Sequence, residues 1–171
     1  MFLAAAGSYF TTRKPVHEAN HFNFGPVKEV AILFAGIFAT MIPALDWLAA
    51  NASKFGVSAP AAFYFGSGAL SSVLDNAPTY LSFTHALFGV AGTQDISALL
   101  ASHPHIILAI SVGSVFFGAN TYIGNGPNFM VKAIADQQHV HTPNFVSYVL
   151  RYTLPFMLPM LLIVWLVFFR G

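Results

Sequence analysis

The side chains able to do chemistry in this chain gather in two short polar clusters, Asp75-Asn76-Ala77-Pro78-Thr79 and Asn120-Thr121 followed by Asn125-Gly126-Pro127-Asn128. A carboxylate among amide and hydroxyl oxygens suits a hard cation, and the same amides turned round offer N–H groups to an anion. Asp75 adds a competition. Apolar surroundings favour its protonated form and a neighbouring cation favours the carboxylate, so one site holds a proton or a cation but not both comfortably. That is the chemistry of cation/proton exchange, with sodium at Asp75, Asn76 and Asn120 as the one metal the pattern accommodates.

The chain around these clusters is 56% hydrophobic and 8% charged over 171 residues, which points to an integral membrane protein of the all-α class. A net charge of +1 with scattered basic residues leaves no footprint for nucleic acid, and the absence of cysteine removes disulfides and thiolate chemistry. Residues 30–50 and 148–169 are each long and apolar enough to cross a hydrocarbon core of about 30 Å. Residues 60–90 and 104–136 are also apolar, but Gly, Pro, Asn or Asp interrupts each near its middle. They read as a hairpin that dips in and returns, and as a discontinuous helix. Residues 1–10 are too short to span and lack the leading charges of a secretory signal. They read as the end of a helix that begins upstream, so 1–28 forms a connector and 29–171 a transport repeat.

In hydrocarbon every backbone N–H and C=O needs a partner, so irregular backbone survives there only when buried in protein or lining a wet cavity. Proline suits the first position of a helix, so Pro78 and Pro127 are expected to start new half-helices, with Gly124 and Gly126 shaping the second break. Each half-helix aims free N–H groups and partial positive charge at its gap, the way secondary transporters build midplane sites. Asp75, Asn76, Thr79, Asn120, Thr121, Asn125 and Asn128 are the candidate binding residues. No Lys or Arg stands close to either break in the sequence, which leaves helix ends alone to neutralise a multivalent anion. Re-entry of the hairpin places Arg13, Lys14, Lys28, Lys132 and Arg151 inside and Lys54 and Arg170 outside, five against two, as the positive-inside rule favours.

At these residues the chain resembles a known family. LDNAPT and GANTYIGNGPN resemble the two signature breaks of the ion transporter superfamily, which includes NhaD-type sodium/proton antiporters, arsenite carriers and citrate or dicarboxylate carriers. The stretches VAILFAGIF, GSGALSSVLDNAPTYL and GANTYIGNGPNFMVKAI are most similar to a bacterial group of sodium/proton antiporters and citrate transporters. The resemblance implies the second inverted repeat of a transporter, a missing N-terminal half, an elevator-like motion, a homodimer and a bacterial inner membrane. It implies sodium or a proton as coupling ion and no other cofactor. Dicarboxylate carriers of the superfamily place Ser-Asn-Thr at the hairpin tip where this chain has Asp75-Asn76-Ala77. That difference ranks sodium/proton antiport first and citrate, other carboxylate or oxyanion transport second, with a non-transporting membrane subunit as a remote third.

Other readings rank lower. An intramembrane aspartyl protease needs two facing aspartates, and only Asp75 is expected at depth, Asp46 falling near the end of the first span. The motif HExxH is absent, so no enzyme is expected. His103-Pro-His105 and His139-Val-His141 fall on opposite sides of the expected topology and make a poor metal site. His85 suits packing better than proton relay. Gly66, Ser67 and Gly68 suit close helix contact, Ser71 and Ser72 approach the tip, and Pro43, Pro155 and Pro159 are expected to kink their spans.

Overall fold

The computed structural model describes residues 1–19, 25–55 and 59–170, and among them every regular element is helical. Parts of the expected connector (20–24), the stretch 56–58 and Gly171 lie outside the described residues. The contacts divide the chain into two units, Met1–Phe34 and Ala35–Gly171. In the first, α1 (Phe2–Thr11) and α2 (Lys14–Ala19) bury no residue. His17 Nε2 donates to the Tyr9 carbonyl at 3.2 Å, tying these two short helices together.

Helix α3 (Gly25–Asn51) runs through the unit boundary and continues into a 3-10 turn at Ala52–Phe55. Its apolar stretch Phe34–Lys54 is long enough to cross a bilayer, and its most apolar 18-residue window has no buried residue. Pro43 sits inside the helix without ending it.

In the second unit, α4 (Pro60–Ser71) and α5 (Asn76–Ala91) form a helical hairpin with its tip at residues 72–75. Pro60 starts α4, where a missing N–H costs nothing. Gly92, at φ 67°, stops α5 in the left-handed conformation that glycine adopts without strain. The arms have 12 and 16 residues, short of the roughly 20 a crossing takes. Next come α6 (Ile96–Ser102) and α7 (Pro104–Phe116), bent by 105° at His103, the residue that Pro104 drives out of helical geometry. Helix α7 runs into a 3-10 turn at Phe117–Ala119, and after an irregular stretch α8 (Gly126–Gln137) resumes. The last span is α9 (Phe145–Tyr148), a π segment (Val149–Met157) and α10 (Leu158–Phe168). The wider π register accommodates Pro155: its closing bond runs from the Leu158 N–H back to the Thr153 carbonyl, five residues away.

The core lies between α4 and α7. Phe63, Leu87, Leu99, Ile106 and Ile110 form one cluster, and Tyr64, Ala109, Phe117 and Leu161 the other. On α7 the buried residues 106, 109, 110, 113 and 114 follow helical spacing. The approach depends on missing side chains: a Cβ at Gly113 would stand 2.6 Å from the Tyr64 carbonyl oxygen, and one at Gly68 2.5 Å from the Phe117 ring. The expectation of close packing around Gly68 therefore has its partner in Phe117. Where α3 meets α5, a Cβ on Gly89 would lie 2.2 Å from the Ala49 carbonyl oxygen, so backbone faces backbone there.

Candidate functional site

The hairpin tip and the break after α7 come together through Asp75. Its extended backbone makes it the N-cap of α5, and one carboxylate oxygen accepts from the Ala77 N–H at 3.3 Å. The other accepts at 3.0 Å from the N–H of Gly126, the first residue of α8. One side chain thus caps two helices from elements 51 residues apart. Asn125 caps α8 as well, its side-chain oxygen accepting from the Asn128 N–H at 3.0 Å, while the Asn125 amide donates to Gly118. Asn128 enters through its backbone.

The predicted helix starts need correction. Helix α5 begins at Asn76, so Pro78 is its third residue, and α8 begins at Gly126, so Pro127 is its second. The caps explain the shift. Asp75 and Asn125 define the ends by satisfying N–H groups, and each proline falls among the early positions whose N–H has no partner within the helix.

Neutral groups complete the junction. Ser72 donates to Gly68 at 2.9 Å, accepts from the Asn120 amide at 3.0 Å, and through its carbonyl accepts from the Thr121 hydroxyl. Asn76, with its amide turned to satisfy its neighbours, donates to Ser114 carbonyl and Ser71 hydroxyl at 2.9 Å each and to Gly124 carbonyl at 3.3 Å. A Cβ on Gly118 would collide with that amide head, and one on Gly124 would come within 2.8 Å of the Ser71 carbonyl oxygen. From the last span the Thr153 hydroxyl donates to the Asn120 carbonyl and Tyr148 to the Ala119 carbonyl.

Among the described residues, three buried side-chain oxygens have no hydrogen-bond partner: Thr79 Oγ1, Ser114 Oγ and Asn120 Oδ1. A native structure seldom leaves such groups without a ligand or water. Of the three residues expected to hold sodium, Asn120 has a buried side-chain oxygen without a hydrogen-bond partner. The Asp75 oxygens face backbone N–H groups, and the Asn76 amide is spent on Ser71, Ser114 and Gly124. Ser114, Thr153 and Tyr148 escaped the sequence reading, because a lone hydroxyl on an apolar helix commonly bonds its own backbone.

The sequence reading also left the breaks without a cation, and the structure supplies one. Lys132 Nζ stands 5.2 Å from the centre of the Tyr122 ring, within the second break, and pairs with Asp136 at 2.5 Å. A flexible side chain reaches a residue that spacing along the chain sets apart. Elsewhere, His85 donates from Nδ1 to the Leu81 carbonyl and packs on Phe88. No group of three His, Cys, Asp or Glu residues able to hold a metal occurs among the described residues. Asp46 lines a separate cavity of about 370 Å³ with Ala49, Gly89 and Gln94.

Two helices long and apolar enough to cross a bilayer, with two capped breaks packed on one another, point to an integral membrane protein. A family model described as "Putative citrate transport" matches residues 1–169, and the chain belongs to that family. Neither a curated protein nor a solved structure matches it.

Proposed function

We propose that the chain carries the substrate junction of a citrate or related carboxylate carrier. The family match over residues 1–169 is the observation that carries this reading. The site chemistry supports it: two helix N-termini converge on the junction, Asn and Thr side chains surround it, and Lys132 stands beside it. Asp75 then sets the need for a coupling ion. A multivalent anion entering beside a carboxylate is repelled unless a sodium ion or a proton offsets the charge. Asn120, Thr79 and Ser114 carry oxygens free to receive such an ion, since they lack partners among the described residues. The short hairpin arms support re-entry over full crossing.

The test is uptake of labelled citrate into proteoliposomes under imposed sodium or proton gradients. The expected result is concentrative uptake that collapses when the driving gradient is removed. Proton release on a sodium pulse with no citrate uptake would sink this reading in favour of sodium/proton exchange.

A further inference from the structure

We infer that Lys132 is a specificity-determining residue that receives a carboxylate of the substrate at the second break, with Asp136 as the internal carboxylate it releases. This rests on the carboxylate reading above. Lys132 rests on an aromatic platform on one side and pairs with a solvated carboxylate on the other. Its ammonium lies over Tyr122, two residues after Asn120, and that ring is clamped edge-on by Phe145 and Tyr148, each at 5.9 Å. Tyr148 in turn donates to the Ala119 carbonyl, so the platform under the ammonium belongs to the break itself.

The Asp136 partner is of a different kind. It is half exposed, with a side-chain accessibility of 49% against 22% for Lys132. It pairs with Lys132 one helical turn along α8, an arrangement that contributes little where water reaches it. Its second oxygen is bonded to the Thr142 hydroxyl, so release of Lys132 leaves it hydrated and still partnered. Exchanging one carboxylate for another on Lys132 therefore changes little in energy and leaves nothing buried unpaired. Lys132 follows the first residue of α8 by six positions, about 9 Å of helix rise, and its side chain leaves a backbone whose Cβ tilts back toward that end. The N–H groups at that end are already taken by Asp75 and Asn125, so a substrate with more than one carboxylate can place one on the ammonium and another on the coupling ion at the junction, whereas a monocarboxylate can use only one of them.

Half-saturating concentrations measured for citrate, a dicarboxylate and a monocarboxylate in proteoliposomes of the natural protein test this. Lys132→Gln is expected to raise the citrate value about 10- to 100-fold, the worth of one charge-assisted hydrogen bond, and to leave monocarboxylates nearly unaffected. Lys132→Arg is expected to recover most of the loss. Asp136→Asn, which frees the ammonium, is expected to lower the citrate value. A merely structural ion pair would make Lys132→Gln and Asp136→Asn shift citrate binding the same way, and that outcome overturns the assignment while leaving the carboxylate reading intact. An unchanged citrate value in Lys132→Gln does the same. A wild-type protein that takes up none of the three substrates overturns the carboxylate reading and the assignment with it.

Discussion

Asp75 was conspicuous in the sequence because a carboxylate in an apolar chain costs on the order of 3 kcal/mol at the bilayer centre and needs a reason. Its second partner was not legible, since Gly126 lies 51 positions away and nothing local announces the pairing. The double cap changes what mutagenesis reads. Asn equals Asp as a cap for one helix, but its amide nitrogen cannot accept, so Asp75→Asn leaves one of the two N–H groups without an acceptor. We expect that variant to lose about 1–2 kcal/mol in denaturation, the cost of a lost cap or an unmade buried bond. Hydrogen exchange at Ala77 and Gly126 will show which of the two amides loses protection. Gly126→Pro removes the donor while keeping the charge. Asn125 before it is already extended at φ −154°, but Pro127 follows, so the variant is compared with the natural protein by its melting temperature before its transport is read. Loss of transport in Asp75→Asn with retention in Gly126→Pro assigns the effect to the charge. Equal loss in both assigns it to the bond between the breaks.

At the scale of elements, Asn, Gly and Pro made both breaks readable, and the caps then moved the helix starts by one or two residues. The packing of α4 on α7 was only half legible. FGSGALSS advertised a close approach, but Gly113 on the other side is one small residue in a run of Ile, Ala, Ser and Val. We expect Gly113→Ala to cost about 1–3 kcal/mol, because the new methyl meets the Tyr64 carbonyl and the Ser67 hydroxyl rather than a yielding side chain. Gly36→Ala, where nothing lies within 4 Å, is the control and should be neutral or slightly stabilising. Thermal melts of the two variants in the same detergent make the comparison. The bend before α7 had its signal in Pro104, whereas the π segment had only the Pro155 and Pro159 pair, which fits a kink as well as a change of register.

For the whole molecule, composition alone was enough to place the chain in a bilayer, and the two long spans keep their apolar windows almost wholly unburied, at 0% and 11%. Sidedness is a different matter, because hairpin length and charge bias bear on it only indirectly. The absence of native cysteine makes the measurement simple: Ala59→Cys and Gln94→Cys stand just outside the two ends of the hairpin at exposed positions. Re-entry predicts that an impermeant maleimide labels both from the same side of oriented vesicles. Labelling from opposite sides means that the hairpin crosses.

The contact of Gly89 with Ala49 bears on how this hairpin can move. Interdigitated side chains act as teeth, and sliding one helix past another then requires every tooth to lift and reseat. At Gly89 the nearest neighbours are the Ala49 backbone and the Ala52 methyl, so the tooth there is no more than one carbon deep. At that point of α3 the hairpin is expected to shear more readily than it would over interlocked side chains.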